Sequence, residues 1–320
     1  MTKVNKILVT ATNYSKLCAE AKQLLEDNGC EIIENRLGRP FTFEELKDIV
    51  RDIDGVVAGV DTWDEAVFQL APKLRVIARF GVGVDNIDLE KAKQYGIKVT
   101  NVPGGNANAV AELAIGLILG AVRNIPALQQ SARNGVWDRF VGAELKGRKI
   151  GLLGFGNIAQ MVAKKLQGFE VELSAYDKYP NADKARELNV TLTSYEQILR
   201  ESDVVSMHLP SLQETHHFMN NETFGMMKDG SYFVNTARGA VVSEKALYEA
   251  LKSGKLAGAA IDVYEQEPVS ADNPLFQISN IVTTPHTAAE TYETYHLVSL
   301  TTAQAILDVF HDKQPANLLT

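Results

Sequence analysis

Along the first hundred residues, short apolar runs alternate with stretches whose apolar positions recur at helical spacing. KILVT, CEIIE, GVVAG, LRVIARF and IKVT read as strands. The intervening segments predict helices from Ser15 to Asp27, around Phe43 to Arg51, and from Leu89 to Tyr95. Such alternation predicts a parallel sheet covered by helices. The stretch from Val110 to Arg123 is apolar on nearly every face, which requires burial by more than one partner and suggests a position between domains or subunits. Asn134 to Lys149 reads as a polar loop in which Trp137 is a packing residue, while Trp63 stays unassigned.

From Lys149 the strand and helix pattern resumes. The runs are IGLL (150–153), VELSAY, DVVSMHLP (203–210), GSYFVNTARG (230–239), LAGAAIDVYEQEP (256–268) and NIVTTPHTAAE (280–290), with a helix from Glu244 to Ser253. Parallel strands in this order would deliver Asp177, Pro210, Arg238, Asp262 and His286 to one sheet edge. A final helix, about Ala288 to Phe310, could cross back to the first domain.

The densest chemical signal lies between Lys149 and Asp177. A short strand is followed by GFGNIA, then by helical spacing from Met161 to Leu166, a second strand from Val171 to Tyr176, and a terminal aspartate. Gly154 permits a tight turn, Gly156 lets a pyrophosphate approach the backbone, and Ala159 lets the helix pack on its strand. The helix start then offers free N–H groups to an anion. Asp177, about 20 residues beyond the glycines, can bond a ribose 2′-hydroxyl and repel a 2′-phosphate, which favours NAD over NADP. A lone glycine motif would fit any tight turn; here the strand, helix, second strand and acid agree.

Composition narrows the class. The 320 residues suffice for two domains, and 45% hydrophobic with 22% charged residues is ordinary for a globular protein. A formal net charge of −8 argues against nucleic acid or an anionic membrane surface as partner. The two cysteines, Cys18 and Cys30, read as buried thiols, and no metal-ligand spacing is present. The start MTKVNKILVT has no leader-like apolar core, and Ala109 to Val122 is too short to span a bilayer, so a cytoplasmic location is expected.

No phosphate fingerprint follows the first strand, so the first domain is assigned to substrate. GVGVDNID (81–88) bares backbone N–H groups after a strand, although a turn would use the same glycines. PGGNANA, from Pro103, marks a chain reversal or hinge, and Asn106 could cap the next helix or meet ligand.

With GFGNIA, the motifs TARG at 236 to 239, DVYEQEP at 262 to 268 and TPHTAA at 284 to 289 resemble the D-2-hydroxyacid dehydrogenase family over nearly the whole chain. The PGGN loop and NTARGAVV make the chain most similar to the D-3-phosphoglycerate dehydrogenases. The resemblance implies an α/β fold of two doubly wound parallel-sheet domains. An NAD-binding Rossmann domain, 101–286, is inserted in a flavodoxin-like substrate domain, 1–100 with 287–320, around a cleft. It implies NAD as cofactor, a small anionic 2-hydroxy or 2-keto acid as substrate, and a homodimer formed through the helix after PGGN.

By the same resemblance Arg238, Glu267 and His286 are catalytic. An imidazole can give a proton to a carbonyl oxygen during hydride transfer, a carboxylate on its other nitrogen fixes the tautomer and favours the imidazolium, and a guanidinium can pair a substrate carboxylate and polarise the carbonyl. Asn157 and Ile158 would line the pyrophosphate, with Pro210 and Thr215 near the adenosine. Thr236, Ala237 and Asp262 would reach the nicotinamide, and Val82, Gly83 and Asn106 the substrate. His208 would shape the adenosine wall; His216, His217, His296 and His311 carry no motif and read as solvated or packed.

Two departures qualify the resemblance. Where phosphoglycerate enzymes tend to carry an arginine after the third strand, this chain has Ala58, Gly59 and Val60. A phosphate would then need Arg79, Arg139 or another subunit. The chain also ends without a C-terminal regulatory domain, so control by serine is not expected. Hydroxypyruvate, glyoxylate or branched 2-keto acids are alternative substrates. A formate dehydrogenase is disfavoured, because that branch has glutamine where Glu267 stands. An NAD-sensing corepressor-like binding protein is the alternative from another class, distinguished by absorbance at 340 nm with keto acids.

Overall fold

The computed structural model describes residues 4–320, so the first three residues of the stretch inspected for a leader lie outside it. The chain forms two compact units, Met1–Asn106 with Glu290–Thr320, and Ala107–Ala289. The first holds five strands: β1 (Asn5–Val9), β2 (Cys30–Glu34), β3 (Gly55–Ala58), β4 (Val76–Arg79) and β5 (Lys98–Thr100). All pair in parallel in the order β2-β1-β3-β4-β5, the flavodoxin-like arrangement.

Alternation along these strands divides the core. Ile7, Val9, Val57 and Val76 pack with Leu25, Ile306 and Leu307 on one face, while Leu8, Val56, Ile77 and Val99 pack with Leu46, Phe68 and Ala92 on the other. Burial on both faces explains why the strands read as continuous apolar runs.

The second unit holds β6 (Lys149–Leu153), β7 (Glu172–Tyr176), β8 (Val190–Leu192), β9 (Val204–Met207), β10 (Ser231–Asn235), β11 (Leu256–Ile261) and β12 (Ile281–Thr283). Their order is β12-β11-β10-β9-β6-β7-β8, again parallel throughout. The order reverses between β6 and β9, and that switch point is where a doubly wound sheet takes its ligand.

The helix Ala107–Val122 is buried within this unit by the helix Asn157–Leu166 and by β10, β11 and β12. Only a narrow stripe of Asn108, Glu112 and Gly116 is exposed, so partners inside the unit account for its apolar character.

Three expectations need correction. The helix from Ser15 to Asp27 is two helices, Tyr14–Leu17 and Ala19–Asp27, because the backbone at Cys18 leaves the helical region while its buried thiol contacts the Tyr295 carbonyl. The last helix is Tyr292–Phe310, capped by Thr291, rather than starting at Ala288, whose N–H is committed to Asp262 Oδ2. Trp137 does not pack within the chain: it is 76% exposed, with a left-handed backbone at φ 65°. Trp63, unassigned from sequence, is fully buried.

Candidate active site

All five residues expected at one edge do lie beyond the carboxyl ends of parallel strands: Asp177 after β7, Pro210 after β9, Arg238 after β10, Asp262 after β11 and His286 after β12.

At the switch point Gly154 takes φ 98°, and a Cβ there would come within 2.7 Å of the His208 carbonyl carbon and oxygen. No side chain fits, so the loops after β6 and β9 can touch. Beside Gly156, by contrast, the space a side chain would fill is open. Gly156 also caps the helix Asn157–Leu166 without a side-chain bond, so no capping side chain occupies the N–H groups at the helix start. That is the geometry an incoming pyrophosphate needs. The half-buried Asp177 accepts the Phe155 N–H at Oδ2 (2.7 Å) and the Tyr179 N–H at Oδ1 (2.8 Å), which fixes its carboxylate beside the glycine turn. The Thr236 hydroxyl is buried without a hydrogen-bond partner among the described residues. These features fit a dinucleotide.

Other expected contacts are committed inside the protein. The Thr215 hydroxyl donates to the Pro210 carbonyl (2.6 Å) and accepts the Leu212 N–H (2.8 Å), so it shapes the loop at Pro210. His208 is partly buried with Nε2 2.9 Å from the Ser206 hydroxyl, and burial pushes its pKa down to about 4. Asp262 is wholly buried. Its Oδ1 accepts the Thr284 hydroxyl (2.6 Å) and the Thr287 N–H (2.9 Å), and its Oδ2 the Ala288 N–H (3.0 Å). It thus holds the turn that carries His286.

His286 itself has φ 50°, and its N–H donates to the carbonyls of Asp262 (2.7 Å) and Thr284 (3.1 Å). Its Nδ1 lies 2.6 Å from Glu267 Oε2, while Glu267 Oε1 accepts the Tyr264 N–H at 2.9 Å. Burial pushes the Glu267 carboxyl up, but the His286 hydrogen bond and charge, the Tyr264 N–H and the Arg238 charge together outweigh it and hold it below its ordinary value. The arrangement is a carboxylate orienting an imidazole through Nδ1.

Arg238 is half-buried and shares the edge. Asn235, not singled out in the sequence, donates from Nδ2 to the Arg238 carbonyl (2.9 Å) and accepts the Ala237 N–H at Oδ1 (3.0 Å). Next to it, a Cβ on Gly239 would lie 1.8 Å from the Tyr264 carbonyl oxygen, so only glycine lets the end of β10 approach the segment carrying Glu267. In the first unit Val82 and Gly83 sit half-exposed after β4, and Asn106, at the end of that unit's first segment, has a buried Oδ1 without a hydrogen-bond partner among the described residues. His217 pairs with Glu265 (2.9 Å) and stacks on His216, a role no motif announced.

Residues 115–288 match the family described as D-isomer specific 2-hydroxyacid dehydrogenase, NAD binding domain. The D-3-phosphoglycerate dehydrogenase of Archaeoglobus fulgidus is 43% identical over 91% of this chain, which spans 55% of that relative's length. The glyoxylate reductase of Korarchaeum cryptofilum is 38% identical over 84% of this chain and 83% of its own. The crystal structure of the TT0316 protein from Thermus thermophilus superposes with a TM-score of 0.92 at 35% identity, over 98% of this chain and 100% of that one. With the family's NAD-binding domain matched over more than half of this chain and such relatives spanning nearly all of it, this chain belongs to the D-isomer specific 2-hydroxyacid dehydrogenase family.

Proposed function

We propose that this chain is an NAD-dependent 2-hydroxyacid dehydrogenase that interconverts a 2-hydroxy acid and a 2-keto acid. The observation that carries the reading is the 2.6 Å pair of His286 and Glu267 on the sheet edge that also bears Arg238. Bound NADH would supply the hydride. His286 Nε2 gives a proton to the carbonyl oxygen in reduction and takes it back in oxidation. Glu267 keeps the ring oriented, and Arg238 pairs the substrate carboxylate and draws charge toward the oxygen.

The phosphoglycerate relatives make 3-phosphohydroxypyruvate the leading keto acid. A second reading, hydroxypyruvate or glyoxylate, is favoured by the first unit. Position 60 after β3 is an exposed valine, and Arg79 is engaged with the carbonyls of Phe80 and Gly83. Oxidation of NADH at 340 nm with these three acids tests the reading and ranks them. Turnover of none would leave a nucleotide-sensing protein.

Asp177 should set the cofactor. Asp177→Ala is expected to raise the KM for NADH and to shrink the preference for NADH over NADPH; an unchanged ratio would remove Asp177 from cofactor choice.

We further propose a homodimer acting in the cytoplasm. Val136, Trp137, Phe140 and Val141 are 60%, 76%, 48% and 94% exposed, an apolar patch that a second copy would cover. Light scattering should give the mass of two chains for the native protein and of one for a Trp137→Glu, Val141→Asp variant. A native monomer would refute the dimer.

A further inference from the structure

The segment that carries Glu267 is fastened to the start of a helix. The Glu265 N–H donates to Glu244 Oε1 (2.7 Å), and the Glu244 N–H donates back to Glu265 Oε1 (3.1 Å). Glu244 opens the helix Glu244–Lys252, whose cap, Ser243, accepts the Ala246 N–H at 3.3 Å. The first N–H groups of a helix have no partner within it, and the helix dipole favours a carboxylate there. Each of the two glutamates thus satisfies a main-chain donor of the other. Glu244 Oε2 also accepts Asn273 Nδ2 (2.7 Å), which ties in the chain beyond the loop.

A third element braces the pair. His217 Nε2 lies 2.9 Å from the same Glu265 Oε1. The His217 backbone is left-handed, at φ 48°, a conformation that a residue with a side chain keeps only where its surroundings hold it. Here its N–H donates to the Ala240 carbonyl (2.9 Å), and its carbonyl accepts Asn220 Nδ2 (3.1 Å). The His217 and Glu265 side chains are 40% and 37% exposed, so their charge attraction alone contributes little. What joins the loop, the helix start and the 217 turn is one carboxylate oxygen, Glu265 Oε1. Two residues on stands Glu267, with Oε1 on the Tyr264 N–H (2.9 Å) and Oε2 2.6 Å from His286 Nδ1.

We propose that Glu244, Glu265 and His217 are positioning residues for the proton transfer, which clamp the 264–267 segment to the helix start so that Glu267 stays on His286 Nδ1. This rests on the dehydrogenase reading above. The three act through Glu267, and therefore on the chemical step. Loss of the clamp should then appear in kcat rather than in KM.

The test compares the native protein with Glu244→Ala, Glu265→Ala and Glu265→Gln in the reduction of glyoxylate, hydroxypyruvate and 3-phosphohydroxypyruvate. Both alanine variants should lower kcat by about 10- to 100-fold, the scale of a misplaced catalytic group. The KM for keto acid and the NADH dissociation constant, read by fluorescence quenching, should hold. Glutamine keeps an oxygen that can accept from the Glu244 N–H and from His217 Nε2, so Glu265→Gln should keep most of the native kcat. The acid limb of kcat/KM, with folding followed by circular dichroism, separates position from charge. His286 and Arg238 are the charges that hold the Glu267 carboxyl down. A looser segment weakens the bond to His286, so the carboxyl rises and the limb moves to higher pH in the alanine variants. Mere loss of a neighbouring negative charge would lower the carboxyl and move the limb the other way. If Glu244→Ala does not fold, Glu265→Ala carries the same expectation. Native kcat in a folded alanine variant, an equal loss in Glu265→Gln, weakened NADH binding, or a limb that moves to lower pH overturns the clamp and leaves the dehydrogenase reading in place. A native protein that reduces none of the three acids overturns both.

Discussion

His286→Ala is expected to lower kcat for keto-acid reduction by about 10²- to 10⁴-fold, the usual worth of a positioned general acid, with the NADH dissociation constant unchanged. The size of the effect follows from how firmly the ring is placed. The backbone at His286 is left-handed, and its N–H is shared between the Asp262 and Thr284 carbonyls. Asp262 fastens the next residues through Thr287 and Ala288, and the Tyr264 hydroxyl donates to the Thr284 carbonyl at 3.0 Å. A turn pinned at so many points presents one ring orientation, and Glu267 selects it. Single-turnover reduction with NADH prebound reads chemistry apart from binding. Turnover near the native rate would exclude His286 as the proton donor, while loss of NADH affinity would show that the ring serves the dinucleotide instead.

What could be read from the chain depended on how local each determinant is. GFGNIA and Asp177 were legible because glycine conformation, helix start and strand end are decided within thirty residues, and the structure shows the required turn, open approach and acid in place. The break at Cys18 was not legible, since the thiol responds to Tyr295, far away in the sequence. Asp262 was placed by resemblance at the nicotinamide. That it holds the His286 turn depends on partners 22 to 26 residues downstream. The pairing of DVYEQEP with TPHTAA gave one signal of that contact, an aspartate and a threonine in motifs that the sheet brings together. Glu244 and Glu265 bond main-chain N–H groups, which nearly every residue owns, so no side-chain pattern marks their partners. Trp137 misled because an aromatic in a polar loop is read as core, and only coordinates show that its own chain leaves it exposed.

Arg238→Gln is expected to cost about 10²- to 10³-fold in kcat/KM, the range for removing one preorganised charge or donor aimed at a developing oxyanion. The residue is placed by its main chain. Asn235 ties the 235–238 turn from both ends, and Arg238 Nη1 donates to the Ala237 carbonyl at 2.8 Å. Glutamine at 238 leaves that turn intact and removes the fork and the charge. Arg238→Lys should fall between, since an ammonium keeps the charge but cannot engage a carboxylate through two parallel bonds. A second effect separates the charge from simple packing. Arg238 is among the groups that hold the Glu267 carboxyl below its ordinary 4.5. Glu267 orients His286 in its ionised form, which is present above the folded pKa and lost as pH falls through it. The acid limb of the native kcat/KM profile that belongs to Glu267 should therefore lie below pH 4.5. Without the Arg238 charge one downward influence is gone, so the limb should move to higher pH in both the glutamine variant and, by much less, the lysine variant. Profiles of kcat/KM against pH for the three proteins, with folding followed at each pH by circular dichroism, read both effects together. A glutamine variant with near-native kcat/KM and an unmoved acid limb would exclude Arg238 from the chemistry and leave it as a residue of the turn.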